Sequence, residues 1–205
     1  MSKEPNQVVF NDETQEVRGN RRTAIKSVVV LVLIAVILGG LLAILNDALF
    51  ISDEERIANT IKTFYDNEEK SYRKVNVLKQ NRENIFGSID NVYLIEDGNY
   101  LLKTTGYHGY KDGTVTLWLL AEFKNDSFNG FIKIRMESYV GQTLMSNFND
   151  SFYQMYIDRD ITQGYFSVDT DDINRNVVSG TTKTSVAINN AVNSAYYFIN
   201  TVLEV

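Results

Sequence analysis

The chain has 205 residues, a formal net charge of −6 and an acidic isoelectric point near 4.9. An acidic chain without a basic cluster in its soluble part argues against nucleic acid as a partner, because nucleic acid requires a basic surface to neutralise its phosphates. The sequence has no cysteine and one histidine, His108, which excludes disulfides, iron–sulfur ligation and histidine-rich metal sites, so any redox chemistry here requires an organic cofactor.

The first predicted element is a transmembrane helix over residues 27–46, SVVVLVLIAVILGGLLAILN, which no charge interrupts. About 20 apolar residues rise ~30 Å as a helix, which matches the hydrocarbon core of a bilayer. A secretory signal peptide is the alternative, but its apolar region is shorter and ends at a small-residue cleavage site. The sequence after Asn46 is a poor cleavage site, so we predict a permanent anchor.

The flanking charges predict the orientation of this helix. Four basic residues precede it: Arg18, Arg21, Arg22 and Lys26. Four acidic residues follow it: Asp47, Asp53, Glu54 and Glu55. The positive-inside rule therefore predicts a cytoplasmic N-terminus and an extracytoplasmic domain over residues 51–205 in the cell membrane. Residues 1–26 are predicted to form a disordered cytoplasmic tail, since they are polar and aperiodic to about Asn20.

The outer domain is predicted to begin with a helix over about residues 53–69, capped by Ser52 in a capping box with Glu55. Four strands are predicted next: 92–96, 100–104, 114–123 and 131–137. Asp97-Gly98-Asn99 marks a hairpin between the first two strands, and Asn125-Asp126-Ser127 with Asn129-Gly130 marks the turn between the last two.

Residues 147–156 indicate a short helix, and residues 158–176 a loop with a possible strand at 165–168. The chain ends in an amphipathic helix whose apolar positions recur with helical spacing: Ile188, Ala191, Val192, Ala195, Ile199 and Val202. We therefore expect an α+β fold: a single N-terminal transmembrane helix followed by an extracytoplasmic domain with a mostly antiparallel sheet and flanking helices.

The segment from Val178 to Ser185, VSGTTKTS, is the most informative for function. It is a hydroxyl-rich turn that leads directly into the last helix, and a helix start presents free N–H groups and a partial positive charge to a phosphate. Gly180 permits close backbone approach. The simpler interpretation is an ordinary capped helix that binds no ligand.

Ser179-Gly180-Thr181-Thr182, followed by Lys183-Thr184-Ser185 and a helix rich in alanine, valine and asparagine, resembles the flavinylation site of the FMN-binding domain family. The family includes RnfG of the Rnf ion-translocating complex and NqrC of the sodium-pumping quinone reductase. Its motif is Asp-x-x-Ser/Thr-Gly-Ala-Thr, and a separate flavin transferase esterifies the last threonine to the phosphate of FMN. The resemblance implies covalent FMN on Thr182, with Ser179, Gly180, Thr181 and Thr184 around it.

Other segments resemble the same family in the same order. Residues 106–110, GYHGY, resemble its Gly-Tyr-Gly-Gly segment, which implies Tyr107 beside the flavin. Residues 126–134 resemble its central hairpin. Residues 137–142, ESYVGQ, stand where the family has Glu-Thr-Pro-Gly-Leu-Gly, which implies Glu137 and Gly141 beside the flavin, although the strand pattern alone places Glu137 on a solvated face.

The resemblance implies an electron-transfer subunit of an Rnf-like or Nqr-like complex that couples electron flow to ion translocation, with no catalytic residue and no metal site of its own. Its partners would be other membrane subunits and the flavin transferase. The chain departs from the motif, because Asn176 replaces its aspartate and Thr181 its alanine. Two alternatives therefore stay open: a flavin-free structural or binding subunit of the family, and an unrelated membrane-anchored domain.

Overall fold

The structure is a computed structural model that describes residues 13–49, 51–157, 164–172 and 175–203. The chain divides into two units, residues 1–55 and 56–205. The described helices are α1 (Glu13–Leu49), α2 (Asp53–Phe64), α3 (Asp150–Ile157) and α4 (Thr182–Phe198), the last of which continues as a π-helical turn over Ile199–Leu203. The strands are β1 (Tyr72–Lys74), β2 (Gly87–Ile95), β3 (Tyr100–Gly106), β4 (Thr114–Lys124) and β5 (Ser127–Val140).

Helix α1 contains one segment, Thr23–Asn46, that is long and apolar enough to cross a membrane, with a mean hydropathy of 3.3. A signal sequence near the N-terminus has the same properties. The prediction of a disordered tail over residues 1–26 is wrong for residues 13–26, which belong to α1. They extend a helix that the apolar segment has already nucleated, and adding a turn costs far less than starting one. Residues 1–12 lie outside the described residues.

The second unit is α+β, as predicted, with five antiparallel strands in the order β1-β2-β3-β4-β5. Hairpins join consecutive strands from β2 onward. Gly98, at φ +89°, turns β2 into β3. Asn125 and Asp126, at φ +52° and +62°, turn β4 into β5, which is the left-handed pair that a two-residue hairpin requires. The expected role of Asn129-Gly130 in this turn is wrong, because both residues lie inside β5.

The sheet is covered on both faces. Helices α3 and α4 pack on one face with the larger core, which includes Leu102, Leu117 and Ala191. Helix α2 packs on the other through Ile61 and Phe64, beside Trp118. Residues of β4 alternate between these cores, as the two-residue period of a strand requires.

Several elements differ from the prediction. Helix α2 ends at Phe64 rather than near residue 69, because Asp66 and Asn67 take left-handed backbone conformations. Strand β1 was not predicted, since three residues carry too little periodicity to detect. No strand forms among the described residues of 164–172, although Ser167 makes one isolated bridge with Arg175; residues 158–163 lie outside the described residues.

Candidate functional site

The candidate site lies at the end of the sheet where β3 ends, β4 begins and β5 ends. Gly106 pairs with Val115, and Thr114 pairs with Val140. Residues 107–113 connect β3 to β4 at this end of the sheet. Two segments that were singled out from the sequence, residues 106–110 and 137–142, are therefore neighbours because the antiparallel order places their strand ends together.

Gln142 joins these two segments. Its side-chain oxygen accepts a hydrogen bond from the backbone N–H of Tyr110 at 3.0 Å, and its side-chain nitrogen donates to the carbonyl of Val140 at 3.1 Å. The side chain is 8% exposed. A Cβ atom on Gly109 or Gly113 would lie 2.4 or 2.5 Å from its amide nitrogen, so glycine at both positions makes room for the Gln142 amide.

The loop over residues 107–113 has a constrained backbone. His108, Lys111 and Asp112 adopt positive φ angles of 65°, 51° and 55°. Non-glycine residues rarely take this conformation, and asparagine, aspartate and histidine take it more often than the others. Tyr107 is half-buried, while the side chains of His108 and Tyr110 face solvent.

Helix α4 contacts the same end of the sheet. A Cβ atom on Gly106 would lie 2.0 Å from the carbonyl oxygen of Ala187, so the end of β3 touches the helix backbone directly. Thr104 donates to the carbonyl of Ala191 at 2.8 Å. The side-chain nitrogen of Asn190 donates to the carbonyl of Tyr107 at 2.9 Å. These contacts hold the loop against the N-terminal half of α4.

The start of α4 is a helix N-terminus that follows an exposed turn. Ser179 and Gly180 form an exposed turn; Gly180 has φ +80°, and a Cβ atom added to it would meet nothing within 4 Å. The first helical hydrogen bond runs from the N–H of Ser185 to the carbonyl of Thr181 at 2.9 Å. Thr181 makes no side-chain capping bond, so the N–H groups of residues 182–184 stay without a capping partner among the described residues.

The threonines of this turn differ in accessibility. Thr182 is the first residue of α4 and its side chain is exposed. Thr181 is 6% exposed, and its hydroxyl donates to the carbonyl of Val178 at 3.0 Å. Thr184 is 2% exposed. Of the three, only Thr182 is exposed.

The hydroxyl of Ser185 also stabilises the turn over residues 178–181. The hydroxyl of Ser185 accepts a hydrogen bond from the N–H of Val178 at 3.1 Å and donates to the carbonyl of Thr181 at 3.1 Å. Ser185 is fully buried. The turn is thus held in place before any ligand binds, which lowers the entropy cost of binding one.

Glu137 lies away from this site. Its carboxylate accepts hydrogen bonds from Lys103 and from the indole of Trp118, both at 3.0 Å, on the face of the sheet that α2 covers. Helix α4 covers the opposite face. Gly141 is next to Gln142 at the loop, so the structure brings Gly141 and Tyr107 to one end of the sheet, where Asn190 of α4 bonds to Tyr107. Glu137 lies on the face of the sheet that α2 covers.

Asn176 is 1% exposed, and neither polar atom of its side chain has a hydrogen-bond partner among the described residues. It lies near the Tyr156 hydroxyl without hydrogen-bond geometry. That hydroxyl donates to Asn189 at 2.6 Å, and burial raises the pKa of Tyr156 well above its usual range. Asn176 is therefore enclosed beneath the surface rather than exposed at the turn.

The sequence pattern did not identify Gln142 or Asn190 as site residues. Each binds a backbone group remote in sequence through its side-chain amide, Gln142 the N–H of Tyr110 and Asn190 the carbonyl of Tyr107, and no local pattern marks such a role. Among the described residues, no group of three or more potential metal-ligating side chains comes together.

No protein-family model matches this chain, and no curated protein matches its sequence. The resemblance to the FMN-binding domain family therefore depends on the motifs and their order.

Proposed function

We propose that this chain is a membrane-anchored electron-transfer subunit that carries FMN as a phosphoester on Thr182. The observation that carries the proposal is the exposed Thr182 hydroxyl at the start of α4, beside N–H groups that no cap occupies. This arrangement suits a phosphate, since N–H groups and the helix dipole both favour negative charge there.

The residues of the turn have separate roles in this proposal. Thr182 supplies the oxygen of the ester. Gly180 leaves open space above the turn, and the exposed Ser179 hydroxyl offers a further hydrogen-bond donor to the phosphate. Lys183, also exposed, adds a positive charge one residue further on.

The loop over residues 107–113 and Gly141 would flank the rest of the cofactor. Asn190 and Gln142 hold these segments near α4. The bound flavin would supply the redox chemistry, and the chain would bind and orient it. No side chain of this chain needs to act as an acid, base or nucleophile during electron transfer.

The apolar segment Thr23–Asn46 supports the anchoring part of the proposal. Basic residues before it and acidic residues after it favour a cytoplasmic N-terminus and an extracytoplasmic domain. We propose that this helix packs against other membrane subunits of an Rnf-like or Nqr-like ion-translocating complex, and that a flavin transferase attaches the FMN.

The test is the intact mass of the full chain, purified after co-expression with a flavin transferase. We expect a gain equal to FMN minus one water in the wild type and in Thr181→Ala, and no gain in Thr182→Ala. Thr181→Ala is the matched control, because it removes the neighbouring hydroxyl that is already buried.

An unmodified wild-type mass with no flavin colour, while circular dichroism shows an intact fold, would contradict the proposal. It would favour a flavin-free structural or binding subunit, for which the replacement of the motif aspartate by Asn176 is the supporting observation. A gain that persists in Thr182→Ala and disappears in Thr181→Ala would move the attachment to Thr181.

A further inference from the structure

The two ends of the sheet expose different side chains. At one end, residues 96–99 and 125–126 form the turns of the β2–β3 and β4–β5 hairpins, and neither turn contains an apolar side chain. At the other end β2 begins, β3 ends, β4 begins and β5 ends. Large apolar side chains are exposed at this second end, which we call the apolar end: Ile85 is 76% exposed, Val140 69%, Leu144 57% and Tyr110 39%.

The residues of the apolar end are neighbours across the strands. The N–H of Tyr107 donates to the carbonyl of Phe86 at 3.1 Å, so Ile85 lies beside the loop that joins β3 to β4. Gln142 joins the same loop to the end of β5. Outside α1, Ile85 and Val140 are the two most exposed large apolar side chains among the described residues. Exposed apolar side chains in one region are typical of an interaction surface.

Helix α2 begins toward the apolar end. At the C-terminal end of α2, the Nζ atom of Lys133 donates to the carbonyl of Phe64 at 3.2 Å. In the first turn of α2, Arg56 is close enough to Glu137 to interact with its charge. Glu137 lies further toward the end of β5 than Lys133 does. Helix α2 therefore runs antiparallel to β5, and its first residues point toward the end of the sheet at which β5 ends.

The connection from α1 to α2 is short. Only residues 50–52 separate the two helices, and the four peptide steps from Leu49 to Asp53 span at most about 14 Å. If α1 crosses a membrane, the start of α2 must stay close to the surface of the bilayer. The apolar end of the sheet, toward which α2 begins, must then stay close to that surface too.

We propose that the apolar end rests on the lipid surface of the bilayer that α1 crosses, with Ile85, Val140 and Leu144 among the lipid headgroups. This inference rests on the anchoring part of the proposed function and does not depend on FMN. Tyrosine is enriched at membrane–water interfaces, which suits Tyr110. The ammonium group of Lys111 lies 5.4 Å from the centre of the Tyr110 ring, and a lysine at a membrane surface extends its charged group toward the lipid phosphates.

The first test uses the absence of cysteine from the natural chain. Single cysteines are introduced into the full chain, expressed without a flavin transferase, labelled with a fluorophore and reconstituted in phosphatidylcholine vesicles. Lipids that carry a nitroxide quench a fluorophore only at short range. We expect strong quenching at Val140→Cys and Ile85→Cys. We expect little at Ser127→Cys, an exposed position at the start of β5 and roughly 40 Å from Val140 along the strand.

Two outcomes of this test overturn the proposal: equal quenching at the two ends of the sheet, and no quenching at Val140→Cys and Ile85→Cys in vesicles that retain the chain. The second outcome would leave a protein partner as the occupant of the apolar end. A chain that alkaline carbonate removes from the vesicles would overturn the anchoring by α1 and this inference with it. Missing FMN on Thr182, measured by intact mass, would overturn only the flavin part of the proposed function.

The second test changes the surface itself. The pair Ile85→Glu and Val140→Glu should lower quenching at Leu144→Cys about twofold or more, because a carboxylate leaves water unfavourably. The matched control pair is Ile132→Glu and Met155→Glu, at apolar positions that are also exposed but lie away from the apolar end. This control should leave the quenching unchanged, and circular dichroism checks the fold of both. Equal quenching in the two pairs of variants overturns the proposal.

Discussion

The two faces of the sheet are held by different kinds of contact. On one face α4 lies so close to β3 that glycine is required at position 106, and asparagine side chains of α4 bond to the loops beside it. On the other face α2 contributes two fully buried side chains, and the end of the sheet beyond it carries the polar contacts among Lys103, Trp118 and Glu137. The α4 face therefore positions the candidate site, whereas the α2 face mainly completes the core.

This difference between the α4 face and the α2 face bears on the candidate site, because the sequence resemblance implies site residues on both faces. Tyr107 and Gly141 lie at one end of the sheet, where α4 contacts the loop through Asn190, and Glu137 does not join them. Substitutions on the two faces should separate effects on the cofactor from effects on stability.

The largest effect is expected for Gly106→Ala. The new Cβ would lie 2.0 Å from the carbonyl oxygen of Ala187 and 2.3 Å from the N atom of Ala191. Both are backbone atoms that cannot rotate away, so α4 must withdraw from β3, at a cost of about 3 kcal/mol or more in the free energy of unfolding. This loss of unfolding free energy is measured by urea unfolding of the full chain in detergent, monitored through the fluorescence of the single tryptophan.

Gly98→Ala is the control for that experiment. Gly98 has φ +89° and nothing within 4 Å of the added Cβ, so only backbone strain remains, about 1 kcal/mol. Equal losses of unfolding free energy in the two variants would show that the close approach of β3 to α4 does not contribute to stability. Under the proposed function, Gly106→Ala should also lower FMN incorporation.

An intermediate effect is expected for Gln142→Leu. The leucine fills similar space but leaves the N–H of Tyr110 and the carbonyl of Val140 without their partner. Leaving such groups unpaired costs about 1–3 kcal/mol, and the loop over residues 107–113 should loosen. Hydrogen exchange should then accelerate in this loop and remain unchanged in the β2–β3 hairpin. Gln80→Leu, at an exposed position, should change neither, and unchanged exchange in Gln142→Leu would mean that Gln142 does not hold the loop.

The smallest effect is expected for Glu137→Gln. Burial opposes ionisation of Glu137, but Lys103 and Trp118 outweigh it and hold the pKa of the carboxyl below its ordinary value. A pKa lowered by folding means that the carboxylate stabilises the fold above its unfolded pKa of about 4.3, and that this stabilisation is lost as pH falls through the folded pKa. We expect Glu137→Gln to cost less than about 1 kcal/mol at pH 7, since the pair is partly exposed.

Two measurements check this expectation. The difference in unfolding free energy between wild type and Glu137→Gln should shrink as pH is lowered from 5 to 3. FMN attachment should be unchanged, because Glu137 lies on the face opposite α4. A variant that folds normally but loses FMN would contradict this separation of the two faces and return Glu137 to the site.

Strong local signals predicted most of the fold. The hairpins formed at Gly98 and at Asn125-Asp126, where few residues other than glycine and asparagine or aspartate adopt the required conformation. Helix α4 formed where apolar side chains recur every three to four residues. Strand β1 was not predicted, because three residues carry too little periodicity to detect. The early end of α2 was not predicted either; the left-handed Asp66 and Asn67 follow it, and Lys133 of β5 bonds to the carbonyls at the helix end.

The sequence by itself determined the apolar segment of α1, the α+β class and the hydroxyl-rich turn before α4, because composition, periodicity and turn chemistry are local properties. Only the tertiary structure decided that Thr182 is exposed while Thr181 and Thr184 are buried. It also decided that Gln142 and Asn190 hold the flanking loops, and that Glu137 lies on the face of the sheet that α2 covers. Accessibility and sheet face depend on which strands pair and in what register. A single bulge, such as the one at Glu137 between β4 and β5, is enough to shift the side chains that follow to the other face.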